Sequence, residues 1–447
     1  MIDYSNSIGV QVPSVLLPRE GTDYSKWAVV ACDQYTSQPG YWENAKAFID
    51  GAPSTLNLIL PEAYLAKPGE AQMIASIKHT MSEYLAQNVL EEKEPGFVLV
   101  RRKIGEKERL GLVMALDLEQ YDYNKGSSTL IRASEGTIVD RIPPRLRIRE
   151  GAPIELPHIL VLIDDPNCTV IEPLLENTKN MELLYECELM LGGGHVSGHL
   201  VKDEVQIARV LRALNALKDN AAFEEKYGKG RKPLLFAMGD GNHSFATAKA
   251  SWEAIKKTLP ASELETHPAR YALVEVENVH DEGIVFEPIH RVLFNAKPEE
   301  ALEMLFALLK EENGSVDILN FKTRELLELE LAKPSPKAQF LPFFYGSQLG
   351  MFHIPNPVSQ LSVGTLQTAL DRLIELLPDA EVDYIHGEDV VLDLSSRKDT
   401  LGFLLPAMKK SELFPTIIFD GALPRKTFSM GEANEKRYYI ECRRILP

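Results

Sequence analysis

The stretch Gly239-Asp240-Gly241-Asn242-His243-Ser244 constrains this chain more than any other, because of what flanks it. The apolar run Leu234 to Met238 precedes it and reads as a buried strand, and Phe245, Ala248 and Trp252 follow at helical spacing. A strand that turns through glycine into a helix start aims unpaired backbone N–H groups and the positive end of a helix dipole at one spot. An anion can sit there. Asp240 and His243 put a carboxylate and an imidazole in the same turn, so the spot is suited both to hold phosphate and to move protons. Asp, Asn and Ser are also ordinary helix caps and Gly an ordinary turn residue, so a purely structural turn accounts equally well for the segment taken alone.

At 447 residues the chain is long for one core, and two domains are expected. A hydrophobic content of 45% and a charged content of 25% are ordinary for soluble globular proteins. The formal net charge of -17 argues against a nucleic-acid partner, since a polyanion meets a repulsive field except at a local basic patch. Cys32, Cys168, Cys187 and Cys442 are widely separated, with no CxxC pair. They read as reduced thiols of a cytosolic protein. The N-terminal MIDYSNSIGV has no basic n-region or apolar h-region, and no stretch approaches the ~18 apolar residues of a membrane span. The expectation is a soluble cytoplasmic protein whose partner is a small molecule, with neither nucleic acid nor membrane.

Helical and strand patterns alternate irregularly and no internal repeat is present, which predicts an α+β protein with mixed sheets. Met73, Ile74, Ile77, Met81, Tyr84, Leu85 and Val89 form the stripe of a long amphipathic helix. Hairpins are expected at 96–116, at 183–201 through Gly192-Gly193-Gly194, and at 339–354 through Gly346. Asn295-Ala296-Lys297-Pro298 is the best boundary in the chain. Residues 1–295 are therefore read as an α+β motif domain, and 296–447 as a second α+β unit whose last strand returns to the first. Lys333-Pro334-Ser335-Pro336-Lys337 reads as an exposed loop.

Other candidate chemistry is weaker. His195 and His199 in HVSGH would share a metal on a helix. The glycines before them favour a strand, where positions four apart are ~13 Å apart, too far for one ion. Arg141, Arg145, Arg147 and Arg149 could hold an anionic substrate, but their alternation with Leu146 and Ile148 fits a solvated strand face as well. LPRKTFSMG carries Arg425, Lys426, Thr427 and Ser429 on a basic turn without the glycines of a Walker loop. Glu135 and Asp33 follow apolar or glycine-bearing runs and are candidate active-site carboxylates. Neither a GxSxG elbow nor a GxGxxG after a strand is present.

Taken in order, these landmarks resemble the domain of unknown function 1015 family, over nearly the whole chain from about Val30 to Ile440. GDGNHSFATAKA is similar to that family's ADGHHRYETAL signature, and RASEGTIVDR to its HE-x-T...R segment. ALVEVENVHDEGIVFEPIHRVLF resembles the strand ending in a His-Arg pair, here His290-Arg291, and LPRKTFSM its closing PPKST-type element. Glu135, Thr137, Asp240, Gly241 and His243 are kept; Asn242 and Ser134 stand where the family has His, and Ser244 where it has Arg. A further likeness is to the phosphate loop of the ParB/sulfiredoxin-type fold, which includes a free-serine kinase.

The resemblance implies a nucleotide or phosphate site, and with it phosphoryl-transfer or phosphoester chemistry on a small metabolite. In that scheme the N–H groups of Gly241 to Phe245 cradle a phosphate, next to Gly239, Asn242 and Ser244. Asp240 acts as base or holds Mg²⁺, His243 donates, Glu135 is a further catalytic carboxylate, and Lys426, Thr427 and Arg141 complete the anion site. A carboxylate beside phosphate calls for a divalent ion or another cation, and Lys426 is the first choice. The alternative is a non-catalytic nucleotide- or metabolite-sensing module, which the Ser at 244 favours.

Overall fold

The computed structural model describes residues 5–36, 38–333 and 337–447, so positions 334–336 of the expected proline loop lie outside the described residues. The chain divides into two compact units, Met1–Val285 with Met430–Pro447, and Phe286–Ser429. The break comes ahead of Asn295, and the strand containing His290 and Arg291 belongs to the second unit.

The first unit is built on a ten-stranded sheet. In chain order its strands are β1 (Val10–Gln11), β2 (Phe97–Ile104), β3 (Lys107–Asp117), β4 (Tyr121–Asp122), β5 (Ile131–Arg132), β6 (Leu160–Ile163), β7 (Glu182–Leu189), β8 (Gly194–Val201), β9 (Phe236–Asp240) and β10 (Tyr271–Asn278). The spatial order is β7-β8-β2-β3-β10-β6-β9-β5-β4, with β1 also on β3. Most neighbours are antiparallel, but β6 runs parallel to β10, and β5 parallel to both β9 and β4.

Successive side chains of a strand point to opposite faces, and here both faces are covered. Val98, Val100, Val113 and Leu273 enter one core with Ile74, Ile77 and Met81 of helix α1 (Glu70–Ala86). Leu99, Leu112, Met114, Val274 and Met238 enter the other. That second core also takes Val210, Leu211 and Leu214 of α3 (Glu204–Leu217) and Phe245, Ala248 and Trp252 of α4 (Asn242–Ile255). Each such side chain stabilises by about 1.5–3 kcal/mol when fully removed from water.

The arginine segment is not a strand: Ile142–Arg149 is helix α2, which packs on α4. Pro143 and Pro144 decide this, because a proline in the first helical turn loses no hydrogen bond and has its φ already set. His195 and His199 both lie on β8.

The second unit holds a six-stranded sheet. Its strands are β11 (His290–Phe294), β12 (Asp317–Phe321), β13 (Gln339–Tyr345), β14 (Gln348–Ile354), β15 (Glu381–Ile385) and β16 (Thr400–Phe403), in the order β12-β14-β13-β16-β11-β15. Helices α5 (Pro298–Asn313) and α6 (Ser362–Leu376) pack together, and Leu305, Leu309, Leu366 and Leu370 on them are fully buried.

Candidate functional site

β9 delivers Asp240 to the start of α4 through Gly241, whose φ of 81° is left-handed. Glycine suits this φ, and a Cβ there would stand 3.1 Å from Ile159 Cγ1, close enough that Ile159 would have to give by a few tenths of an ångström. No side chain caps α4, whose first intrahelical bond runs from the Phe245 amide to the Gly241 carbonyl at 3.0 Å. Asp240, His243 and Ser244 are half-buried, and Asn242 is buried.

Asp240 is not balanced by solvent alone. Its Oδ2 lies 3.1 Å from the Lys436 ammonium, and its Oδ1 accepts from the Gly241 amide at 2.9 Å. Burial by itself would raise the carboxyl's pKa, but Lys436, His158 and the Gly241 N–H overcome this and hold it below its ordinary value. Asp240 is therefore an ionised carboxylate in a pair, with Lys436 only 8% exposed. The sequence pattern alone does not mark Lys436. The available signal was the Lys436-Arg437 pair opening the terminal strand-like run, which belongs to the first unit. Lys426, chosen instead, is an exposed residue of the second unit.

The RASEGTIVDR segment lies against the first turn of α4. Asn242 Nδ2 donates to Ser134 Oγ at 3.1 Å, and Ser134 N–H donates back to Asn242 Oδ1 at 3.2 Å. Ser134 and Asn242 thus satisfy one another. His243 Nε2 accepts from the Ile138 amide at 3.3 Å, which leaves the ring proton on Nδ1. Glu135 is half-buried, and Thr137 Oγ1 is buried with no hydrogen-bond partner among the described residues. Ser244 Oγ is 3.0 Å from His158 Nε2, and His158 Nδ1 is 2.8 Å from the Tyr439 hydroxyl.

Other residues singled out from sequence have structural work. Arg145 pairs with Glu62, Arg147 with Glu70 at 2.6 Å and Arg149 with Glu155 at 2.6 Å, which leaves Arg141, exposed at the start of α2, as the cluster's candidate for an anion. Arg291 is fully buried in the second unit, where it donates to Gln367 and to the carbonyls of Arg425 and Lys426. Arg291 therefore holds the LPRKTFSM turn. Thr427 is buried and spends its hydroxyl on the Pro424 carbonyl at 2.7 Å. His290 accepts from the Leu405 amide at 3.1 Å, and burial, with Arg291 and His386 nearby, lowers its pKa to about 4. Asp33 accepts from Gln34 at 3.0 Å.

The model of a family described as a protein of unknown function, DUF1015, matches residues 16–373. The chain belongs to this family. As a DUF1015 protein it has distant likenesses among solved structures. A conserved hypothetical protein from Pyrococcus furiosus is 12% identical with a TM-score of 0.34, over 73% of this chain and 90% of that one. A free serine kinase variant in complex with AMP is 10% identical with a TM-score of 0.39, over 73% and 90%. C-terminally truncated SbnI from Staphylococcus aureus is 10% identical with a TM-score of 0.33, over 71% and 82%. Likeness at this level assigns no role to any residue here. No curated protein matches the chain. No described helix is long and apolar enough to cross a membrane.

Proposed function

We propose that the first turn of α4 binds a phosphate-bearing small molecule, with a nucleotide as the preferred occupant, and that the protein performs phosphoryl-transfer or phosphoester chemistry on a small metabolite. One observation carries this reading: a helix start without a side-chain cap, entered through left-handed Gly241 and flanked by the Asp240–Lys436 pair. Backbone N–H groups at the start of α4 ahead of Phe245 would face the phosphate, and Lys436 offsets the Asp240 charge beside it. Because Lys436 already offsets Asp240, a carboxylate beside phosphate does not by itself demand a metal. Among the described residues no three His, Cys, Asp or Glu side chains form a metal cluster. Mg²⁺ would accordingly arrive with the nucleotide, with Asp240 as its protein carboxylate, and would offset phosphate charge. A carboxylate of lowered pKa is a weak base, which counts against Asp240 as the proton acceptor and leaves that role to Glu135, with His243 Nδ1–H as donor.

A second reading is a sensor that binds nucleotide without turnover. The neutral Ser134–Asn242 pair favours it, since it stands where relatives carry titratable imidazoles. Calorimetric titration with ATP, ADP and AMP, followed by phosphate release and transfer to small hydroxyl-bearing metabolites, separates the two. Binding with turnover supports the enzyme and binding alone the sensor. No binding at millimolar nucleotide would remove both.

A further inference from the structure

Arg102 of β2 and Arg109 of β3 stand directly opposite one another in the hairpin register, so both side chains leave the sheet on the same side. They are 4% and 9% exposed. Like charges placed this way repel, and a buried charge is costly unless something offsets it. Arg102 makes no ion pair among the described residues. Its contacts are the Gly193 carbonyl, the Asn434 carbonyl at 3.0 Å and the face of the Tyr438 ring, whose centre is 4.8 Å from the guanidinium carbon. Its Nε–H is buried without an acceptor. Burial and the Arg109 charge lower its pKa to about 9, which leaves it a cation at neutral pH.

The surrounding carboxyl groups are engaged elsewhere. Arg109 Nε lies 3.0 Å from Glu277 Oε1 of β10 without the alignment of a hydrogen bond, and Arg109 donates to the Glu435 carbonyl at 2.9 Å. Arg102 bears on Glu277 only at longer range, and burial raises the pKa of that carboxyl against the pull of Arg109. Glu435 Oε1 is 3.5 Å from the Lys107 ammonium, and its Oε2 accepts from the Glu432 amide at 2.9 Å. Asp281 accepts from the amides of Leu110 and Gly283. Against these groups, within the first unit, lies a cavity of about 20 Å³. Arg102, Lys107, Arg109 and Glu435 line it together with the apolar Ile104 and Met430, so its wall carries three cations and one carboxylate.

We infer that this cavity binds one monatomic anion of the halide class, with Arg102 as its main partner and the half-exposed Lys107 at its rim. The unpaired buried guanidinium sets the sign of the ligand. The volume sets its size: one water takes roughly 10–15 Å³ of such space, so about 20 Å³ holds a single ion slightly larger than water and not the four oxygens of phosphate or sulfate. Arg102 also ties down Asn434, which lies just ahead of Lys436, so the ion braces the segment that carries Lys436 to Asp240.

The test follows the quadrupolar NMR linewidth of chloride added to the full-length protein, at an ionic strength held constant with sodium gluconate. The excess linewidth is expected to saturate, and to be displaced by sodium bromide but not by sodium sulfate. Arg102→Gln, checked for folding by circular dichroism, is expected to weaken chloride binding about tenfold or more. Lys107→Gln, at the exposed rim, should weaken it roughly threefold and leave the melting temperature in gluconate unchanged. If Arg102→Gln does not fold, Lys107→Gln and the comparison of bromide with sulfate decide the matter. The inference is overturned if no saturable broadening appears, if sulfate displaces chloride better than bromide does, or if neither substitution changes the affinity. Broadening that ATP removes and neither substitution alters would belong to α4, and overturns it too. No step requires nucleotide binding at α4, so either reading can fail alone.

Discussion

Asp240 was the residue most legible in the sequence, and its partner the least. The turn chemistry around it is local, and local chemistry is what a single sequence exposes. Lys436 is brought to it by the return of the terminal segment, and nothing in residues 430–447 marks which strand they will meet. The Thr427 hydroxyl beside Lys426, which made that lysine attractive from sequence, is spent on the Pro424 carbonyl of its own loop. The pair makes a pH prediction. The folded Asp240 pKa lies below its unfolded value of ~3.9, so its contribution to stability is complete above that value and lost as pH falls through the folded pKa. In Lys436→Met only His158 and the Gly241 N–H would oppose the desolvation, and the carboxyl pKa is expected to rise, with roughly 1.5–3 kcal/mol of stability lost near neutrality. Carbon-detected NMR titration of Asp240 in both proteins measures it. An unchanged pKa would mean that the 3.1 Å contact is electrostatically idle.

Most elements with a clear period were readable. The hairpin β13–β14, turning at Gly346, runs as the alternation of residues requires, and α1 follows its seven-residue stripe except at Val89, which lies past the helix end. The arginine segment was misread because period two over five residues is too short to tell a strand from one helical turn, whereas the two prolines before it carried the better information. The β9–α4 turn was read correctly because its glycine has a backbone reason. Gly241→Ala is expected to cost about 1–3 kcal/mol, for a left-handed non-glycine residue pressed against Ile159. It should weaken nucleotide binding beyond any loss of folded protein, by re-aiming the first-turn amides. Denaturant melts paired with nucleotide titration check both; full stability retained would show that the turn relaxes freely.

For the whole molecule, the second unit is an insertion, which boundary residues alone could not reveal. The first unit leaves off at Val285 and resumes at Met430, and the Gly431 amide donates to the Val285 carbonyl at 3.1 Å. Acid should act on the second unit through His290. Its folded pKa of about 4 lies below the unfolded ~6.5, so the unfolded chain takes up the proton first, and stability falls as pH drops from about 6.5 towards 4. Roughly 2–3 kcal/mol is expected to be lost over that window, and calorimetry of wild type against His290→Gln should show the slope only in the former.

The insertion also permits a sharper separation of roles. Because Val285 and Gly431 are already hydrogen-bonded, a short Gly-Ser linker in place of Phe286–Ser429 closes a gap that the first unit itself holds shut. The terminal segment must be kept, since it supplies Lys436 to Asp240, Arg437 to Glu275 and Glu441, and Arg443 to Glu155. Removing it would take Lys436 from Asp240 and Arg437 from Glu275 and leave Glu155 with Arg149 alone, at about 3–5 kcal/mol for each buried charge left unpaired. The linked first unit is therefore expected to fold cooperatively, whereas deletion of Met430–Pro447 from the full chain should abolish folding. Nucleotide affinity of the linked unit then decides where the anion's contacts come from. Asp240, Lys436, His243 and Glu135 are all present in it, so affinity within about threefold of the full chain is expected, about 0.7 kcal/mol or less. A well-folded unit that had lost binding altogether would return the missing contacts to residues 286–429, where Lys426 and Thr427 lie, and the assignment to α4 and Lys436 alone would fall.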